Sequence, residues 1–230
     1  MSVVYINPYS FAATDPNFAS VSLLLHGDGT NGSTTITDSS SSPKTVTAFG
    51  NAQISTTQSK FGGSSIAFDG NGDYITSASN AAFAFGTGNF TIEFWYYISS
   101  TGNQCFYDTI PIGGDGTRSA GFALVIQTNR WNVFSSASFR GQSTNAPLTN
   151  QWVHFALVKS GTTWTYYENG TSNGSFTYSF NTTDSNFVCG RVGDGSSYFI
   201  NGYLDDYRVT KGVARYTANF TAPTAPFPDS

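Results

Sequence analysis

An all-β fold, a sandwich or jelly roll of two antiparallel sheets, is what this chain predicts, on three observations. Short runs of alternating apolar and polar residues recur, separated by Gly-, Asn-, Asp- and Ser-rich turns roughly every 8–12 residues. Aromatic residues make up 16% of the chain and charged residues only 10%, which suits packed aromatic layers joined by tight turns and argues against disorder. Neither a long helical periodicity nor a self-similar repeat interrupts the pattern. A chain of 230 residues then suits one large domain.

Residues 1–19 read as an N-terminal arm. Pro8 and Pro16 interrupt it, and Tyr5, Tyr9, Phe11 and Phe18 can dock on a neighbour or cover a sheet edge. The first firm strand is 21–26, where Leu23-Leu24-Leu25 calls for burial on both faces and so a central position. It ends in the turn His26-Gly27-Asp28-Gly29. Short strands follow around Val46 and Ile54, then a strand, turn and strand over 60–76. The turn from Asp69 to Asp73 begins like an EF-hand loop, D-x-N-x-D, but Tyr74 stands where that loop needs Gly and Asn80 where it needs Glu. It reads as a plain turn, with a cation-binding turn through Asp73 as the alternative.

FTIEFWYYI, residues 90–98, is the strongest strand, and two aromatic faces make it an inner one. Strands are expected at 121–127, 130–135, 152–159, 163–168, 175–178 and 187–191, with a hairpin turn at Glu168-Asn169-Gly170-Thr171. Trp95 and Trp152 are assigned to the core and His154 to a structural role. The last strand spans 199–209. Strict alternation puts Leu204, Asp206 and Arg208 on one face and Tyr203, Asp205, Tyr207 and Val209 on the other. Adjacent carboxylates inside a strand need partners, and a cation is one candidate. Residues 211–220 read as a turn or helical stub, and 221–230 as a Pro-rich tail.

The stretches SLLLHGDGT, QSKFGGSSIAFDGNGDYIT, FGTGNFTIEFWYYI, WVHFALVKSG, YYENG and GYLDDYRVTKGVARYTANFTAPTAPFP, in that order, resemble the laminin-G-like branch of the concanavalin-A-like lectin/glucanase superfamily. The resemblance implies a jelly-roll domain over 20–220 whose first and last strands lie side by side. It also implies a rim calcium ion. Asp28 and Asp205 match positions that often serve such an ion, and Asp206 and Asp73 are weaker candidates. Gly27 departs from the family, which usually has an aromatic residue there. The ending TKGVARYTANFTAPTAPFP looks like phage virion-surface and tail-fibre proteins, cyanophage ones above all.

Composition narrows the function. The formal net charge is −4 and no Lys/Arg cluster is present, so nucleic acid is not an expected partner. The apolar runs are too short for membrane insertion. The first residues do not read as a secretory signal. Cys105 and Cys189 lack metal-site spacing; a disulfide and two isolated, half-buried thiols both remain open, the thiols favoured. An enzyme is not expected. The two glutamates, Glu93 and Glu168, lie on separate strands without the alternating carboxylates of glucanases.

Sugars are held by aromatic platforms flanked by amides, hydroxyls and carboxylates. Two loops offer that mixture: 105–118, with Tyr107, Asp108, Asp115 and Arg118, and 194–201, with Tyr198 and Asn201. Trp131 and Arg140 would lie near the first. The expected function is a non-catalytic virion-surface structural module, a capsid decoration or a tail-fibre or appendage protein, that contacts host glycans. Residues 1–19 and the tail would join it to other virion proteins, and a homo-oligomer fits as well as a monomer. The alternative is a calcium-dependent carbohydrate-binding lectin or adhesin, extracellular or on a bacterial surface. A glucanase-like hydrolase ranks last.

Overall fold

The computed structural model describes residues 14–195 and 197–230; the aromatics expected in the arm at positions 5, 9 and 11 lie outside them. Fifteen strands run through the described residues. The first five are β1 (Val21–Leu25), β2 (Val46–Phe49), β3 (Gln53–Ser55), β4 (Ser65–Asp69) and β5 (Tyr74–Ser77). The middle five are β6 (Phe90–Ile98), β7 (Gln104–Asp108), β8 (Ala123–Gln127), β9 (Arg130–Ser135) and β10 (Ser138–Gln142). The last five are β11 (Val153–Ser160), β12 (Thr163–Glu168), β13 (Thr171–Thr177), β14 (Phe187–Cys189) and β15 (Asn201–Lys211). They form two antiparallel sheets. The front sheet has the order β13-β12-β11-β6-β15-β4-β3 with β1 also on β15, and the back sheet β10-β9-β8-β7-β14-β5-β2. This is the jelly-roll sandwich that the alternation predicted.

The core lies between the sheets. Phe94 stacks on Phe106 and on Tyr207 with centroids 5.4 and 5.1 Å apart, and Trp131 and Trp164 are fully buried. Offset aromatic stacks of this kind contribute beyond their buried area.

β15 organises the front sheet. One of its edges pairs with β6 along nearly its whole length; the other pairs first with β4 (Asn201 to Leu204) and then with β1 (Tyr207 to Thr210). Between those halves the ladder slips by one residue, between Asp205 and Arg208, and Asp206 has φ +47°. The extra residue resets the alternation. Leu204, Tyr207 and Val209 all face the core, so Asp205 and Asp206 both turn outward rather than to opposite faces as expected.

β1 is buried throughout but, among the described residues, pairs only with β15. Its outward Val21 and Leu24 are covered by Phe18 and Phe227, which explains a leucine run that had suggested a central strand. Residues 212–230 contain no helical stub. They cross the outer face of the front sheet as a strap: Ala214, Tyr216 and Phe220 pack on Ala156, Val158 and Tyr167. The Asp15 amide donates to the Ser230 carbonyl at 2.9 Å. Residues 14–19 and the Pro-rich tail are therefore built into the domain.

Candidate functional site

A groove of about 380 Å3 opens on the outer face of the back sheet. Its floor follows from the alternation of β8: Leu124 and Ile126 face the core, while Ala123 and Val125 face out and pack with Val192, Phe134 and Tyr198. The loops before β8 and after β14 supply its walls, including Arg118, Asp194 and Tyr198.

One buried ion pair fixes both walls. Arg118 donates to Asp108 through Nε at 3.0 Å and Nη2 at 2.6 Å, and Nη2 also reaches Asp194 at 3.2 Å. Asp108 accepts two further backbone bonds, from Ile110 at 3.2 Å and Gly193 at 3.0 Å. Burial works against the Arg118 charge, but Asp108 outweighs it and holds the guanidinium above its ordinary pKa. A forked guanidinium on a carboxylate is directional as well as strong, and Arg118 is held at φ +45° to make it. Across the groove Gln127 Nε2 donates to Tyr198 Oη at 2.5 Å. The result is a preformed cleft with an apolar floor, one tyrosine, one amide and a neutralised ion pair.

The expected sugar residues divide. Arg118 and Tyr198 do line one groove, with Asp108 buried as their anchor. Asp115 is exposed and turns back on its own loop, accepting from the Thr117 amide at 3.0 Å. Tyr107 does not belong to the site. The β7 ladder slips by one residue between Cys105 and Tyr107, so Phe106 and Tyr107 both enter the core, and Tyr107 is 0% exposed. Asn201 lines a separate cavity on the front sheet. Trp131 is core, and Arg140 lies over the Tyr178 ring. Gln127, Val125 and Phe134 were missed; the outward phases of strands 121–127 and 130–135 were the signal that could have found them.

The four aspartates expected at calcium also divide. Asp205 Oδ2 accepts from the Lys60 and Phe61 amides at 2.7 and 3.1 Å, while its buried Oδ1 has no partner among the described residues. Burial, with the charges of Asp206 and Asp28 behind it, pushes the Asp205 carboxyl up to about 7. Asp28 lies against the same turn from outside: its carboxylate is so close over Gly62 that a Cβ there would sit 1.8 Å from Oδ1. Asp206 is spent, on His26 Nδ1 at 2.6 Å and on the Phe227 amide at 2.7 Å. Asp73 lies elsewhere and accepts from the Asn51 and Asp69 amides at 2.5 and 2.8 Å. Among the described residues no three His, Cys, Asp or Glu side chains converge on one point. The donors left for a cation are Asp205 Oδ1 and Asp28, carboxylate oxygens of the kind a hard cation prefers.

The glutamates face opposite ways. Glu93 lies under the strap on the outer face. It pairs with Arg208 Nη2 at 2.8 Å and accepts from Tyr216 Oη at 2.8 Å, with His154 Nε2 3.3 Å away. Burial would raise its pKa, but Arg208, His154 and Arg215 lower it to about 2. Glu168 sits on the inner side, accepting from Tyr96 Oη at 2.6 Å and from Trp131 Nε1 and Asn173 Nδ2 at 2.9 Å each. Cys105 and Cys189 are free buried thiols.

A laminin-G-type model of the concanavalin A-like lectin/glucanases superfamily matches residues 69–215, and the chain belongs to that superfamily. No curated protein matches its sequence. Among solved structures it is similar to domain 4 of AbnA, a GH43 extracellular arabinanase from Geobacillus stearothermophilus, in complex with arabinotriose. There the TM-score is 0.61 at 17% identity, over 84% of this chain and 93% of that one. It is also similar to the botulinum neurotoxin serotype D binding domain, with TM-score 0.61 at 15% identity over 86% of this chain. A third is a botulinum neurotoxin type C structure concerning cell entry through two ganglioside molecules, with TM-score 0.61 at 14% identity over 86% of this chain. The chain spans about half the length of the two toxin chains, 50% and 49%. At these identities the likeness shows the shared fold.

Proposed function

We propose that this chain is a non-catalytic glycan-binding module, with the sugar seated in the back-sheet groove between Tyr198, Gln127 and the Phe134 floor. The observation that carries the reading is the groove's preorganisation. The Arg118–Asp108 pair ties both walls before any ligand arrives, so little ordering cost is left for binding. The groove also has the chemistry of a sugar site, an apolar and aromatic floor with a few fixed polar groups. AbnA domain 4 with arabinotriose and the ganglioside-dependent toxin lend support as relatives in fold. The glutamates support the non-catalytic part. A glycosidase needs two carboxyl groups flanking one bond, whereas Glu93 and Glu168 lie on opposite sides of the front sheet, both buried. A glycan array run with calcium and again with a chelator tests the reading. A reproducible hit weakened by Tyr198→Ala supports it, and a blank array on folded protein contradicts it.

The module's proposed setting is an exposed surface, that of a virion or its appendage first, on the strength of the ending over 210–228. Because Asp15 and Phe18 belong to the fold, deletion of residues 1–13 is the clean test of attachment. Particle incorporation should be lost; unchanged incorporation contradicts the arm's role. A structural calcium ion is proposed at Asp28 and Asp205. It would supply positive charge where Asp205 Oδ1 is buried and, among the described residues, unpaired.

A further inference from the structure

The outer face of the front sheet carries a second surface, on the opposite side of the sandwich from the groove. Tyr97 pairs with Tyr203 across β6 and β15. Trp152 falls opposite Tyr97, because its neighbour Val153 pairs with Tyr96. The row continues through Ala67 to Gln53 on the sheet edge. Each of these side chains faces outward, since Tyr96, Leu204, Ile66 and Ile54 beside them face the core. The three rings are half-buried, with centroids 5.9 and 6.2 Å apart and planes tilted by 63° and 75°.

At its far end the row opens into a cavity of about 660 Å3 where Tyr203, Gln53, Asn51, Asn201 and Asp69 meet. The cavity is held in shape from below. Asp73 accepts from the Asn51 and Asp69 amides, and Asn51 Nδ2 donates to Asp69 at 3.2 Å. Phe49, directly before Gly50 of the lining, is 40% exposed and stacks parallel on Tyr74.

We propose that this row and cavity are a second carbohydrate site, for a neutral oligosaccharide chain. Rings offer rigid apolar faces to sugar C–H groups, while Asn51, Gln53 and Asn201 offer paired amide donors and acceptors to hydroxyls. The charged residues of the lining are Asp69 and Asp73, both acidic, with no Lys or Arg among them. Sialylated, sulfated and uronic-acid sugars are therefore disfavoured by like charge. From Trp152 to Gln53 the row crosses four inter-strand gaps, about 19 Å at the usual strand spacing, which calls for a chain of several sugars. The tilted rings form a stepped platform. That favours a soluble chain whose successive rings are rotated over a flat crystalline face. With a groove behind and this row in front, one domain could bridge two chains or gain by avidity.

The test titrates the whole chain with neutral hexaoses (cello-, malto-, xylo- and arabinohexaose) and with two acidic probes, sialyllactose and a heparin hexasaccharide. Calorimetry and tryptophan fluorescence are the readouts. At least one neutral hexaose should bind, and more tightly than its disaccharide. Tyr203→Ala should weaken that binding roughly tenfold or more, as removal of a central aromatic contact does, and Gln53→Ala and Asn201→Ala a few-fold. If circular dichroism shows that Tyr203→Ala has not folded, the two polar variants decide. The proposal is overturned if no neutral hexaose binds, if the acidic probes bind more tightly, or if these variants leave affinity unchanged. Tyr198→Ala, on the other face, should not alter this binding. A failure of the back-sheet groove would thus be seen separately.

Discussion

The outer face of the front sheet has two halves that treat their side chains in opposite ways. On one, the charged residues Glu93, Arg208 and Asp15 are buried, sealed by Tyr216, Phe220 and Phe227 of the strap. On the other, Trp152, Tyr97 and Tyr203 lie half-open. Both halves use the same strands, β6, β11 and β15. The boundary is the Asp205–Asp206 slip, where β15 leaves β4 for β1. The difference shows that hydropathy alone does not decide what a sheet face does. Where a charged network is complete, an irregular segment can cover it; where aromatics lie bare, they are free to meet a ligand.

The sharpest way to break this contrast is Arg208→Ala. It removes the nearest cation from Glu93, leaving Arg215 Nε at 3.6 Å, and it removes the guanidinium 3.7 Å from the Phe227 ring. The expected loss is about 3–5 kcal/mol, the range for removing one partner of a buried ion pair, read by urea unfolding. A loss below about 1 kcal/mol would mean the network does not hold the strap.

The same network sets an acid limit. Glu93 has its pKa lowered from 4.5 to about 2. A depressed carboxylate contributes stability that is fully present above its unfolded value and is lost as pH falls through its folded one. The strapped half should therefore weaken between about pH 4.5 and pH 2, by on the order of 3 kcal/mol. A Glu93→Gln variant should be less stable than the parent at pH 7 and should show a flatter profile over that window. Parallel profiles would contradict the assignment.

At the boundary, calcium at about 100 times its Kd should add about 2.7 kcal/mol of stability by mass action, seen as a rise in Tm that a chelator reverses. Asp205→Asn should abolish the rise while Asp73→Asn keeps it. No rise in the parent would remove the ion. The smallest effect belongs to the open half, where Gln53→Ala should change stability by within about 0.5 kcal/mol. A larger loss would make that residue structural.

Much of the fold was legible. The strands at 90–98, 130–135 and 163–168 match the observed β6, β9 and β12 end to end, because alternation over a half-aromatic run is a strong signal. What alternation could not show were the one-residue slips in the ladders, two of which move candidate residues. In β7 one turns Tyr107 inward; in β15 another turns Asp205 and Asp206 to the same side. Each is an insertion in a ladder, invisible without the partner strand, and each moves a candidate residue to the other face. Trp95 is buried as expected, but Trp152 is only half-buried, and neither lies between the sheets, for a related reason. They pack on the outer face, Trp95 beneath Lys60 Nζ at 3.9 Å and Trp152 against Tyr97, and aromatic character does not say which sheet face is covered. Arg118 and Tyr198 were legible as candidates on two separate loops, 105–118 and 194–201, but not that the two loops wall one groove. The Asp108 anchor beneath them depends on tertiary contacts.

The measurement that bears most directly on the central claim is amide chemical-shift mapping of the isotope-labelled chain with the best sugar from the array. Binding in the back-sheet groove predicts shifts at Ala123, Val125, Gln127, Phe134 and Tyr198. Shifts that spare these residues, whether at the Asp28–Asp205 rim alone or on the front sheet alone, would contradict it.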